Sequence, residues 1–416
     1  MRFNRKIAPE FKPRQSFITK KRLREDEIDF DKLRSYRLDR VRKELEKNNL
    51  EACILFDPVN VRYALDTLNM SVYNMHNLTR YCFVPVNGPI ILYEYFNCEK
   101  LSEGLNLIDE IRPAITWDYF SNGDQSEAQL QKWVNEVKDL SKSYFKSRKI
   151  AIDVLNGPAV VALNKEGIEV VDAKLILEQA RVIKSSDEIK CMRSAIDVAE
   201  MGIVKMREQL KPGMTENELW SILHQTNIEN YGEWIECRLL ASGERTNPWM
   251  QECGNKVIQD GELVAFDTDM VGPYGYCADI SRAFVVGNKF NDEQKKLYSM
   301  AVEQIDYNSR LIKDGLSFKE FTEKSWVLPE DYYPNRYSVM VHGIGLCDEW
   351  PAIRYPTDGG ERGGTFQKNM TITVESYIGK VGGKEGVKLE QQYLIGENGL
   401  ELMSHHPLED LSLIHI

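Results

Sequence analysis

The sequence predicts a two-domain α/β protein whose second half is a pseudo-symmetric core of helix pairs and antiparallel strands. Three observations carry this. The chain has 416 residues, enough to bury an interior in each of two domains. In the first half, short apolar runs bounded by turn residues alternate with stripes of helical period. In the second half, two helix pairs are each followed by strands. The domains are expected over residues 1–184 and 185–416.

The elements follow in order. Residues 1–30 read as an irregular arm, basic from Arg2 to Arg24 but without the apolar stretch of a secretory peptide. Leu33, Leu38, Val41 and Leu45 form a helical stripe over residues 31–48. Ala52 to Phe56 reads as a buried strand, and Asp57-Pro58 starts a helix. Tyr81 to Val86 and Pro89 to Tyr95 read as strands around the hairpin pair Asn87-Gly88. Glu127 to Lys146 is a helix, Lys149 to Val154 a strand, and a further helix opens at Gly157. In the second domain Ser186 is taken as the N-cap of a long helix with the stripe Ile189, Met192, Ile196, Ala199 and Ile203. Thr215 and Glu218 make a capping box for the next helix, to about Asn230. Helices are expected over Asn291 to Lys313 and Ser317 to Ser325, and strands over Tyr337 to Val341, Met370 to Ser376 and Val387 to Ile395. The last residues, LSLIHI, are apolar.

Composition narrows the function. A net charge of −11 argues against nucleic acid as a main partner. Eight cysteines without a CxxC pair fit the reduced thiols of a cytoplasmic protein. No apolar run approaches the ~18 residues of a membrane helix.

The chemistry centres on Glu262 to Val286, which reads as a hairpin: strand from Leu263 to Met270, turn at Gly272-Pro273-Tyr274-Gly275, return from Tyr276. Asp267 and Asp269 are two apart, so on a strand they share a face. A hairpin centred on Tyr274 sets Asp269 opposite Asp279. Three acids in an apolar strand pair are costly to bury unpaired, and a divalent cation relieves that cost. His342, Glu375 and Glu390 also lie in apolar strands. Together the six make a hard, oxygen-rich set suited to two cations roughly 3.5–4 Å apart, with iron, manganese or zinc all compatible.

The order Asp269, Asp279 with Ile280-Ser281-Arg282, His342-Gly343-Ile344-Gly345, Glu375, Glu390 resembles the metallopeptidase family of methionine aminopeptidases, aminopeptidase P, prolidase and creatinase. The resemblance implies a pita-bread fold with a curved antiparallel sheet over Ser186 to Ser404, behind a creatinase-like N-terminal domain. Two histidines that peptidases of this family use on the substrate amide have no counterpart: Ser242-Gly243 runs into ERTNPWMQE, and His342-Gly343-Ile344-Gly345 into LCDEWP. Asp267 is an added acid. The pieces DTD, HGIGLCDEWP and VESYIGKVGG resemble one branch, the dimethylsulfoniopropionate lyases of the DddP type. That branch implies a homodimer with two metal ions, often iron, held by Asp267, Asp269, Asp279, His342, Glu375 and Glu390. It implies a carbon–sulfur lyase that eliminates dimethyl sulfide and leaves acrylate, with Asp348 as base.

Around that base, Tyr337 on the His342 strand is a candidate to bind the substrate carboxylate or steady Asp348. The sulfonium calls for an aromatic face, with Trp350, Trp249, Trp234 and Trp117 as candidates. Arg282 is expected to pair with site acids, and a partner copy could bring His76 or Arg80 to the site. The competing readings are an Xaa-Pro peptidase or another hydrolase of the same fold, and a metal-free binding scaffold. The missing histidines weigh against the hydrolases, and the intact ligand set against the scaffold.

Overall fold

The structure, a computed structural model, describes residues 20–287, 289–358 and 363–409. Most of the basic arm and the terminal LSLIHI lie outside these residues. The chain forms two compact units, one spanning Asp29–Arg181 and the other Lys21–Ile28 with Val182 onward.

The first unit is built on a six-stranded mixed sheet. Its spatial order is Glu110–Pro113, Ile91–Glu94, Tyr81–Pro85, Ala52–Leu55, Lys149–Ile152 and Glu169–Asp172. The hairpin around Asn87-Gly88 forms, with Tyr81 opposite Tyr93 and Gly88 at φ +126°, where a side chain would be strained. The helix Ser126–Tyr144 buries Leu130, Trp133, Val134 and Val137. Trp117 belongs to this core, 4.6 Å from the Trp133 ring and edge-on to Phe56, so packing occupies it rather than a ligand. Arg80 is also taken, buried in an ion pair with Glu94 at 2.8 Å, whereas His76 ends an exposed helical turn.

In the second unit the helix Ser186–Gln209 is capped by Ser185, not Ser186, because only Ser185 puts Glu188 at the position that closes a capping box. Thr215 and Glu218 form their box as expected, ahead of Glu216–Glu229. Asn291 caps Asp292–Leu311 and Ser317 caps Phe318–Lys324. Behind the second helix pair lies a five-stranded antiparallel sheet ordered Asp348–Arg354, Val339–Ile344, Thr371–Gly379, Gly386–Gly396, Gly399–Leu402. Tyr337 precedes its strand by two residues rather than lying on it.

The acidic hairpin has the register that centring on Tyr274 requires, with Phe266 opposite Arg282 and Met270 opposite Ala278. It is not continuous. Leu263–Phe266 and Arg282–Val285 join Leu240–Ser242 in one three-stranded sheet, while Met270–Val271 and Cys277–Ala278 join Trp234–Ile235 in another. Residues 267–269 and 279–281 form a seam between them. Asp269 sits at φ +35°, outside the strand region, so simple alternation does not set its direction. The Thr268 hydroxyl donates to the Ala278 carbonyl at 2.7 Å and accepts from the Ile280 amide at 2.9 Å, replacing the interrupted ladder. Part of the arm is packed: the Leu23 carbonyl accepts from Tyr274 at 2.8 Å, and Arg24 pairs with Asp197 at 2.8 Å.

Candidate metal centre

Backbone register brings the acids together. The strands Thr371–Gly379 and Gly386–Gly396 set Glu375 directly opposite Glu390, and like charges so placed repel. His342, on the adjoining strand, points its Nε2 between them, 3.2 Å from Glu375 Oε1 and 3.7 Å from Glu390 Oε1. From the hairpin seam, Asp279 Oδ2 comes within 3.4 Å of the same nitrogen. His342 Nδ1 lies 2.9 Å from the Gly343 carbonyl, and a proton donated there leaves Nε2 as a ligand. Asp279, His342 and Glu390 offer atoms within 4.8 Å of one another, and so do Asp267, Asp269 and Asp279. The two groups share Asp279, so two neighbouring divalent ions, if bound, would draw on a common residue.

The electrostatics show an excess of acid. Burial and the charge of Asp267 push Asp269 well above the usual carboxylate range, and burial and Glu390 do the same to Asp279. Burial, then Glu390, raises Glu375 to about 8. Glu390 goes the other way: burial is outweighed by the Lys388 ammonium and His342, which hold it at about 2. Asp279 Oδ1 and Glu390 Oε1 are buried with no hydrogen-bond partner among the described residues. Orphaned carboxylate oxygens beside an imidazole are the donors a divalent cation would satisfy, so these residues fit the metal ions the sequence implies.

Lys388 was not foreseen. Fully buried, it reaches Ser281 Oγ at 2.7 Å, Asp267 Oδ2 at 3.0 Å and Glu390 Oε2 at 3.4 Å, and it also pairs closely with Glu375 Oε2. It occupies one oxygen of each of these acids; of the others, Asp267 Oδ1 accepts from Ser281 Oγ at 2.7 Å and Glu375 Oε1 faces His342, while Glu390 Oε1 has no partner among the described residues. The available signal was its spacing, since residues 388 and 390 share a face of the strand. Cys237 likewise went unnoticed; its thiol donates to Asp269 Oδ2 at 2.7 Å.

The remaining candidates divide. Tyr337 is beside the site, its ring 4.8 Å from Lys388 Nζ. Asp348 begins a strand, opposite Ile344; its Oδ1 is 3.7 Å from His342 Nδ1 and its side chain is 62% exposed. Trp350 is half-buried with its ring 5.2 Å from Phe318. Trp249 is buried against Tyr377, and Trp234 sits half-buried opposite Val271. Arg282 does not pair with the site acids' carboxylates. It donates to the carbonyls of Ser281, Glu390 and His406 and to the Gln391 side chain. No second histidine joins either ligand group among the described residues.

Residues 190–397 match the model of metallopeptidase family M24, and residues 37–183 that of the creatinase/prolidase N-terminal domain. The chain is similar to the dimethylsulfoniopropionate lyases DddP of Roseobacter denitrificans and Roseovarius nubinhibens, each 37% identical over 391 residues, which is 92% of this chain and 87% of theirs. It is also similar, at 24% identity over 88% of this chain and 97% of the relative, to the Xaa-Pro dipeptidase of Pyrococcus furiosus. Among solved structures, an Xaa-Pro dipeptidase from Bacillus anthracis matches with a TM-score of 0.73 at 22% identity, over 90% of this chain and 98% of that one. At that identity the likeness speaks for the fold alone.

Proposed function

The chain belongs to metallopeptidase family M24, on the branch of the dimethylsulfoniopropionate lyases, and from that membership we propose that it cleaves dimethylsulfoniopropionate to dimethyl sulfide and acrylate. The observation that carries the reading is a cluster of five acids and one imidazole that no second histidine joins among the described residues.

Asp267, Asp269, Asp279, His342, Glu375 and Glu390 are the residues that would hold two divalent ions, iron being our choice over zinc or manganese. Such ions, when bound, act as Lewis acids toward the substrate carboxylate and favour negative charge at the adjacent carbon. Asp348 is the base. Its exposed carboxylate removes a proton from the carbon next to the substrate carboxylate; the electron pair forms the double bond, the carbon–sulfur bond breaks, and its pair leaves on sulfur. The proton on Asp348 then passes to water. Tyr337 orients the substrate carboxylate, and His342 contributes to its binding by holding the ion that the carboxylate would face. Trp350 follows Asp348 by two on the same strand, hence on the same face, and offers the sulfonium an aromatic surface worth about 0.5–2 kcal/mol.

We read the protein as a homodimer. The first unit exposes large apolar side chains, among them Val72 and Phe96, around the contact of the Tyr73 and Tyr95 rings, and a second copy would cover them. Placing it in the cytoplasm rests on eight cysteines held as thiols. No helix among the described residues is long and apolar enough to cross a membrane.

Headspace detection of dimethyl sulfide from dimethylsulfoniopropionate, beside an assay of Xaa-Pro dipeptide hydrolysis and metal analysis of the same sample, tests the reading. Dimethyl sulfide without proline release is expected. Proline release without dimethyl sulfide would move the chain to the peptidases.

A further inference from the structure

We infer that the buried ion pair between Lys184 and Glu349 is the positioning device for Asp348, acting on the reaction through the strand end it anchors. This rests on the reading of Asp348 as base.

Lys184 Nζ lies 2.7 Å from Glu349 Oε2, with side-chain exposures of 2% and 1%. Both ends are fixed. The Lys184 amide donates to the Asn369 carbonyl at 2.9 Å, and Ser185 next to it caps the helix Ser186–Gln209. Glu349 spends its other oxygen on the turn ahead of it, where Oε1 accepts from the Leu346 amide at 3.1 Å. The turn is shaped around this carboxylate. A Cβ on Gly345 would stand 2.3 Å from Glu349 Oε1, and one on Gly343 would stand 2.5 Å from the Trp350 carbonyl. The tip is also tied to the acidic hairpin, since the Cys277 amide donates to the Gly345 carbonyl at 2.8 Å.

Glu349 follows Asp348 on a strand, so the two side chains leave on opposite faces. Asp348 turns outward beside His342, exposed, while Glu349 turns inward to Lys184. Among the described residues the Asp348 side chain is held by no hydrogen bond shorter than its 3.7 Å approach to His342. Its placement is therefore delegated to the residue behind it. The strand end is paired, Ile344 with Asp348 and Gly343 with Glu349, but the ladder is irregular just beyond, where His342 meets Ala352, so the paired end is set off from the rest of its strand. A base at carbon must meet a specific proton, and a misplacement of about 1 Å can cost on the order of 100-fold.

The test is steady-state kinetics of Lys184→Met, Lys184→Arg and Asp348→Ala, with metal content measured on each. Lys184→Met is expected to lower kcat about tenfold to 100-fold with KM within about threefold and metal unchanged. Lys184→Arg, which keeps the charge, should recover most of the loss. Placed on Asp348→Ala, Lys184→Met should add nothing further, because it acts through the side chain already removed. Full kcat in Lys184→Met, or an undiminished further loss in the double variant, would overturn the proposal. Should Lys184→Met fail to fold, the paired Lys184→Met, Glu349→Leu variant removes both charges and is read the same way. Near wild-type turnover by Asp348→Ala would instead sink the base assignment itself, a separate outcome.

Discussion

Each unit buries charge, and the two accounts close differently. In the first, Arg80 and Glu94 are both buried, and every contact has a counterpart. Arg80 Nε meets both Glu94 oxygens at 2.8 and 3.0 Å, its Nη2 donates to Thr67 Oγ1, and Glu94 also accepts from Asn69 and the Tyr95 amide. In the second, five carboxylates face one ammonium and one imidazole, and two oxygens remain orphaned. A closed pair is architecture; an open cluster is a request for a ligand. Burial alone does not separate them, because both are nearly inaccessible to solvent. The surplus of one sign does.

That contrast can be broken from either side. The largest effect should come from Asp279→Ala, which removes the residue common to both ligand groups. Metal analysis should fall from about two ions per chain, and turnover should drop beyond the ~10²–10⁴-fold that a single base supplies. An Asp279→Ala protein that kept both ions would make the cluster as closed as the Arg80 pair. Asp348→Ala sharpens the contrast within the site: kcat should fall by about 10²–10⁴-fold while metal analysis stays at the wild-type value.

On the other side of the comparison, Arg80→Met leaves Glu94 buried and unpaired. It should cost about 3–5 kcal/mol in denaturant unfolding of the first unit, with bound metal per folded chain unchanged. The smallest effect is expected of Lys388→Met in metal-loaded protein, about 1–3 kcal/mol. It should be larger in chelator-treated protein than in metal-loaded protein, since bound cations take over part of the neutralising work. Equal losses in both states would show that Lys388 is a closed contact like Arg80.

The sequence made legible what is expensive. Asp267, Asp269 and Asp279 stood out because acids are out of place among Val264, Ala265, Phe266 and Ile280, and the register followed from the turn at Tyr274. The capping box of Thr215 and Glu218 was equally plain, whereas adjacent serines at 185 and 186 left the first cap one residue off and its box with Glu188 unread. What stayed hidden were contacts made by residues whose own neighbourhood is ordinary. Lys388 sits in an apolar strand as many surface lysines do, and only the pairing of three strands turns it inward. Arg282 looked like a partner for acids because it follows them, yet strand geometry sends it to carbonyls. Trp117 is an aromatic like any other until Phe56 and Trp133 close around it.

The seam in the acidic hairpin has a dynamic consequence. Across residues 267–269 and 279–281 the two short sheets are joined by the Thr268 hydroxyl rather than by paired amides. That zipper therefore has a missing tooth where the acids repel one another, and it should be the first place in the second unit to breathe. Amide deuterium uptake there should slow when divalent ions are added and quicken when they are stripped, making the hairpin a local gauge of occupancy.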